Sequence, residues 1–369
     1  MLTIATGNKA VAAAVKAAKP AVVAAYPITP QTEVVEQIAE YVTAGEMDAR
    51  YIPVESEHSA MTACIGASIT GVRSFTATSS HGLLYMHEML HWAAGARLPI
   101  VMANINRSLG PGWNVWAEHT DAFSQRDTGW LQFFVGDVQE AYDTTLMAFR
   151  IAENNDILLP VMVNLDGFVL SHIMQSLETV EPGDYIPPMR LPHRIDPENP
   201  AGYGAMTGPN DHFRFRWEIE RAMRNSPAVI RDAEEEFFRQ FGRKYGPTEE
   251  YRCEDAEVLI VALGTLGKEA EVAVDILRDA GIKAGSMRIR WFRPFPDLDI
   301  GGRDLVVLDR GYSFGYGGVL SSEIRSKYPG ASIYSVVAGL GGQEVTYDDI
   351  AGFVRDRRMG EEFWFGVDA

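Results

Sequence analysis

Cysteine is nearly absent from this sequence. Cys64 and Cys253 are the only two in 369 residues, too few for a four-cysteine zinc or iron–sulfur site and too isolated for a disulfide framework. Long apolar runs are missing as well. Nowhere do the roughly 20 consecutive apolar residues of a membrane-spanning helix occur, and Met1-Leu2-Thr3-Ile4-Ala5-Thr6-Gly7-Asn8 lacks the basic-then-apolar order of a signal peptide. The expectation is a soluble, cytoplasmic protein. Positive charge is in deficit, with 33 Lys and Arg against 50 Asp and Glu and a net of -17. That argues against nucleic acid or an anionic membrane as partner, since both demand concentrated positive charge.

Familiar motifs are missing too. There is no Walker loop, nucleophile elbow or Gly-x-Gly-x-x-Gly fingerprint. His87-Glu88 lacks the His-Glu-x-x-His order, and His81, His87, His91 and His119 form no convincing metal set. What remains is a chain with 46% hydrophobic residues, able to bury a large core in two domains.

The pattern of those apolar residues predicts an α/β fold. Strands at 22–26, 49–54, 73–77 and 98–105 alternate with helices at 31–43, 59–69 and 83–94, and a polar turn follows each of the first three strands. The strand at 98–105 is almost wholly apolar, as in a parallel sheet covered on both faces. Residues 106–125 are irregular and rich in aromatic and polar side chains, which suggests a loop folded over a site or an interface. We expect a first α/β domain over 1–177. An extended, proline-rich linker with helices at 213–225 and 229–241 spans 178–254, and a second α/β domain covers 255–369.

Open α/β sheets bind ligands beyond the carboxyl ends of their strands. Tyr26-Pro27-Ile28-Thr29-Pro30-Gln31-Thr32-Glu33 stands at such an end, although on spacing alone Thr29 or Thr32 is equally a helix cap. Glu57 stands at another, where a carboxylate either favours the helix dipole or holds a proton on a ligand nitrogen; Glu55 is its rival. Arg107 follows the fourth strand and can pair with a ligand carboxylate or with Glu118 or Asp121. Gly264-Thr265-Leu266-Gly267 and the glycines of 311–318 are weak phosphate-turn candidates.

The combination of Tyr26-Pro27-Ile28-Thr29-Pro30, Glu55-Ser56-Glu57 and Asn106-Arg107-Ser108 resembles the alpha subunits of 2-oxoacid:ferredoxin oxidoreductases, above all pyruvate:ferredoxin oxidoreductase. The likeness extends to His119-Thr120-Asp121, Arg126-Asp127-Thr128-Gly129-Trp130, the phrase from His193 to Pro200, and Phe241-Gly242-Arg243-Lys244-Tyr245-Gly246. The resemblance implies a thiamine-diphosphate-binding pyrimidine domain with a parallel sheet, followed by a transketolase C-terminal-like α/β domain. It implies conversion of pyruvate and coenzyme A to acetyl-CoA and CO2, with reduction of ferredoxin. Glu57 would hydrogen-bond the aminopyrimidine, with Pro27 and Ile28 beside the cofactor. Thr29 would contact the substrate's carboxylate or keto oxygen, and Arg107 would bind the carboxylate. No Gly-Asp-Gly motif with paired asparagines occurs, and Gly136-Asp137-Val138 does not fit it. Magnesium and the 4Fe-4S clusters would therefore reside on partners: a beta subunit completing the thiamine site, and gamma and ferredoxin-like delta subunits or domains, with external ferredoxin as acceptor. Other 2-oxoacids (branched-chain, indolic or dicarboxylic), a noncatalytic scaffold, and a transketolase-like enzyme are the alternatives.

Overall fold

The computed structural model describes residues 2–200 and 202–367. Its first sheet has seven strands, in the order Trp291–Arg293, Leu131–Phe134, Val161–Asp166, Val101–Asn106, Ser74–Thr78, Val22–Ala25 and Arg50–Pro53. All neighbours run parallel except the first pair. Val101–Asn106 and Val161–Asp166 are buried at every residue, which explains their continuous apolar sequence. Helix starts obey side-chain chemistry: Thr6, Ser56 and Asp137 each accept a backbone N–H from the first turn that follows.

The chain leaves Val22–Ala25 for the edge strand Arg50–Pro53, then returns to Ser74–Thr78 on the opposite side of Val22–Ala25. That reversal opens a crevice at the carboxyl ends of Val22–Ala25 and Ser74–Thr78.

A second sheet runs Glu362–Trp364, Ser332–Val337, Asp304–Asp309, Val258–Leu263, Ala284–Ile289 and Thr248–Tyr251, with only the last strand antiparallel. Leu2–Thr6 pairs with Met174–Glu178, and Tyr312–Ser313 with Gly317–Gly318. Gly264 through Gly267 form the first turn of helix Gly264–Asp279 rather than a separate loop. A side chain at Gly267 would collide with Arg288, so this glycine serves packing.

The two helices expected around Pro227 are one, Pro209–Phe241. Proline removes the N–H that would bond to the Met223 carbonyl. The Ser226 hydroxyl donates to that carbonyl instead, at 2.7 Å, and the helix continues.

The two sheets are tied by buried charge. Arg288 and Arg290, at the end of Ala284–Ile289 and just beyond it, both reach Glu140 on helix Val138–Ala152, the first at 2.8 Å. Burial alone would raise the Glu140 carboxyl, but the two guanidinium groups overcome it and hold it down at about 2. No helix among the described residues is long and apolar enough to cross a membrane.

Candidate active site

Loops from several strand ends meet in the crevice. The turn after Val22–Ala25 is braced from behind: Gln31 donates from Nε2 to the Ala77 carbonyl at 2.7 Å, and Asn8 to the Pro30 carbonyl at 2.9 Å. Gln31 is the N-cap of helix Thr32–Thr43 and makes no side-chain cap bond, so neither Thr29 nor Thr32 caps it. Pro27 and Thr29 stand exposed, with Ile28 half-buried between them.

Glu57 opens helix Glu57–Ser68, where Ser56 does the capping by accepting the Ser59 N–H at 3.2 Å. The Glu57 carboxylate is left to face inward. The residue is 7% exposed, and its side chain has no hydrogen-bond partner among the described residues. Glu55 is exposed, and its carboxylate accepts the Ser59 hydroxyl at 2.5 Å. Of the two acids, only Glu57 is turned toward the crevice. Gly82 keeps the adjoining space open, since a Cβ there would lie 2.5 Å from Glu57 Oε1 and 2.6 Å from Thr78 Oγ1. The hydroxyls of Thr78 and Ser79 are also buried without partners. Unpaired buried polar groups are unfavourable, and a protonated ring nitrogen is the kind of donor that this corner fits.

Arg107 follows Val101–Asn106 and is 6% exposed. Burial draws its pKa below the ordinary value, with Asp121 and Glu57 acting in the opposite direction. Nη1 donates to the Thr29 carbonyl at 2.5 Å, Nη2 lies 3.5 Å from His81 Nδ1, and Nε has no partner. The edge formed by Nε and Nη2 therefore retains donors for a carboxylate.

Asp121, one of the salt-bridge partners considered for Arg107, instead accepts backbone N–H groups from Arg107 at 3.1 Å and Ser80 at 3.0 Å, and the Asn106 amide at 2.8 Å. It thereby joins the ends of two neighbouring strands. Ser80 has φ 51, a left-handed conformation that is uncommon outside glycine. Its N–H bond to Asp121, and a 2.5 Å bond from its hydroxyl to the Ser108 carbonyl, hold it there.

The loop after Arg107 lies against the second sheet's unit. Trp113 covers the Arg107 guanidinium at 4.8 Å from ring centroid to Cζ, while Trp116 packs on Phe168 and the Gly342 turn. Behind this layer, Asp166 accepts His119 Nε2 at 2.6 Å, the Thr265 N–H at 2.8 Å and hydroxyl at 2.6 Å, and faces Arg310 Nη1 at 3.2 Å.

Residues 13–235 match the family described as "Pyruvate flavodoxin/ferredoxin oxidoreductase, thiamine diP-bdg", and residues 256–350 match "Pyruvate:ferredoxin oxidoreductase core domain II". The chain belongs to this oxidoreductase family. As an alpha-type subunit of the 2-oxoacid:ferredoxin oxidoreductases, it is 43% identical over 377 residues to pyruvate synthase subunit PorA of Methanothermobacter thermautotrophicus, covering 100% of this chain and 98% of the relative. It is 44% identical over 369 residues to ketoisovalerate oxidoreductase subunit VorA of Pyrococcus abyssi, covering 96% and 93%. The solved 2-oxoglutarate:ferredoxin oxidoreductase from Magnetococcus marinus superposes with a TM-score of 0.74 at 22% identity, over 96% of this chain and 65% of that longer one. A split-gene transketolase gives a TM-score of 0.55 at 14% identity, over 95% of each chain. The fold is a thiamine-diphosphate-type pyrimidine domain followed by a transketolase-like C-terminal domain, as the sequence resemblance implied.

Sequence reading placed Thr29, Glu57 and Arg107 at strand ends, and the structure gathers them in one crevice of this oxidoreductase subunit. It did not single out Gly82, His81 or Asp166 as parts of the site. The glycine directly after Thr78-Ser79-Ser80-His81, opening a helix, was the one local signal for a close approach.

Proposed function

We propose that this chain is the alpha subunit of a pyruvate:ferredoxin oxidoreductase and is active only when assembled with partner subunits. The observation that carries this reading is the buried Glu57 carboxylate beside Gly82, without a hydrogen-bond partner, next to an Arg107 whose Nε has no acceptor. One group suits a protonated ring nitrogen and the other a carboxylate, the pairing that a thiamine cofactor and a 2-oxoacid require.

Thiamine diphosphate, when bound, supplies an electron sink for the acyl carbanion that decarboxylation of a 2-oxoacid otherwise leaves unstabilised. Glu57 would accept a hydrogen bond from the bound pyrimidine and favour its reactive tautomer, with Pro27 and Ile28 beside the ring. Arg107 pairs with the substrate carboxylate, and its bond to the Thr29 carbonyl fixes the guanidinium plane. Orientation of this kind favours reaction by removing freedom before the bond breaks. The Thr29 hydroxyl, on the same exposed turn, donates to the keto oxygen or the carboxylate. The overall reaction would release CO2, deliver two electrons to ferredoxin and transfer the acyl group to the coenzyme A thiol.

No group of three or more His, Cys, Asp or Glu side chains among the described residues is arranged to hold an ion, and Cys64 is a buried thiol pushed up to about 12 by desolvation. We assign Mg2+ and the diphosphate to a beta subunit and the 4Fe-4S clusters to partner subunits or domains. A second reading is the same chemistry on a branched 2-oxoacid, favoured by VorA relatives as similar as the PorA ones.

The test is an anaerobically assembled complex assayed for coenzyme-A-dependent viologen reduction across a panel of 2-oxoacids. Pyruvate should exceed every other acid, and Glu57→Gln should nearly abolish turnover with assembly intact. Undiminished thiamine-dependent turnover by the pure variant complex would sink the assignment of Glu57. Reduction with no acid at all, in a complex that retains its cofactors, would favour a scaffold.

A further inference from the structure

Trp113 is 53% exposed, yet three contacts determine where its indole lies. One face covers the Arg107 guanidinium at 4.8 Å. Its edge meets the His81 ring, with centroids 6.3 Å apart and planes at 79°. Its pyrrole side sits on the α-carbon of Gly110, where a Cβ would come within 2.6 Å of Trp113 Cδ1. Any side chain at position 110 would evict the indole.

His81 maintains this arrangement. The Gly110 N–H donates to His81 Nε2 at 2.9 Å, so that nitrogen acts as an acceptor. The Ser80 hydroxyl already donates to the Ser108 carbonyl, which leaves its oxygen to accept from His81 Nδ1 at 3.3 Å. The imidazole thus bridges the end of Ser74–Thr78 to the loop carrying Trp113. His81 Nδ1 also lies 3.5 Å from Arg107 Nη2. A carboxylate paired with this guanidinium therefore lies next to both the indole and the imidazole.

We propose that Trp113 is the wall that limits the 2-oxoacid side chain to a short, unbranched group, and that His81 is the positioning residue that holds this wall over Arg107. This rests on the 2-oxoacid reading of the site. An indole fixed on three sides cannot yield to a branched group by a small rotation, whereas a methyl group needs no extra volume. Each carbon added to or removed from a well-packed pocket changes discrimination by about 10–200-fold.

The complex is assembled with its partners from wild-type, Trp113→Ala, Trp113→Phe, His81→Gln and His81→Leu chains. The preparations are matched for thiamine diphosphate content and far-UV circular dichroism. The quantity read is the ratio of kcat/KM for pyruvate to that for 3-methyl-2-oxobutanoate. Trp113→Ala should move the ratio at least about tenfold toward the branched acid, with Trp113→Phe between it and wild type. His81→Leu, which loses the acceptor for the Gly110 N–H, should move it in the same direction and raise KM for pyruvate more than it lowers kcat. His81→Gln, which restores an acceptor, should recover most of the wild-type ratio. An unchanged ratio in Trp113→Ala overturns the wall, and indistinguishable Gln and Leu variants overturn the role of His81. If the wild-type complex turns over no 2-oxoacid, the underlying reading of the site has failed instead.

Discussion

Replacing Asp166 by asparagine should destabilise the chain by about 3–5 kcal/mol, the range for breaking a buried charge pair from one side. Asp166 is 1% exposed and Arg310 only 6%. One carboxylate oxygen serves His119 and Arg310, and the other serves the Thr265 N–H and hydroxyl. An amide can keep only one of these sides. The other would present N–H to donors, and Arg310 would lose its countercharge. For 369 residues unfolding as one unit, at about 2.1 cal/mol/K of unfolding entropy per residue, the loss corresponds to about 4–6 °C in Tm. Calorimetry of wild type, Asp166→Asn, Arg310→Met and the double variant measures it. Removing both charges should harm stability less than the sum of the single changes by more than about 1 kcal/mol. Additivity within about 0.5 kcal/mol, or a shift below about 1 °C, would refute the reasoning. Burial tends to raise the Asp166 carboxyl, but Arg310, His119 and Thr265 hold it well below the usual range. A depressed carboxylate contributes fully above its unfolded pKa and loses its effect only as pH falls through the folded one. The wild-type advantage should therefore be flat from about pH 5 to 8.

Two further outcomes follow from single contacts. Gly82→Ala places a methyl group 2.5 Å from Glu57 Oε1; displacing that carboxylate by about 1 Å should lower kcat/KM by about 100-fold, and activity within about threefold of wild type would show that Glu57 tolerates the shift. Asp309 behaves oppositely to Asp166, because burial pushes it up to about 6 despite bonds from Leu320 and Ser321. A raised folded pKa stabilises most below the unfolded value, so wild-type stability relative to Asp309→Asn should decline by about 3 kcal/mol as pH rises from about 3.5 to 7; a flat difference in denaturant titrations would contradict it.

The first hundred residues were legible because a parallel sheet imposes a simple grammar. Apolar runs bury on both faces, and their polar ends share an edge, so Thr29, Glu57 and Arg107 could be brought together without coordinates. The choice between Glu55 and Glu57 was not legible from spacing and rested on the family resemblance alone. It turns on Ser56 taking the cap and on the burial of one acid, which the spacing of two residues does not encode. Asp121 was read as a possible ion-pair partner, whereas it serves backbone groups 14 and 41 residues away. The gap expected between helices 213–225 and 229–241 is bridged for a local reason, since Ser226 replaces the donor missing at Pro227.

The second sheet's unit contributes none of the groups assigned to chemistry, yet it fixes where they stand. Asn114 donates to the Gly341 carbonyl at 2.7 Å, and the Gly342 N–H to the Ala117 carbonyl at 3.1 Å. The His119 N–H reaches the Arg310 carbonyl at 2.7 Å, and Thr265 bonds to Asp166. Within the loop, Ser108 accepts the Asn114 N–H at 2.9 Å and donates its own N–H to the Trp116 carbonyl at 3.1 Å. The loop is therefore closed on itself at its base and pinned to the second unit at its far side. A displacement of the 340–342 turn has no slack to absorb it before Arg107, because packed elements shift as units rather than deforming continuously. The transketolase-like unit thus acts as the buttress for the substrate end of the crevice, and the orientation of Arg107 is a property of both units.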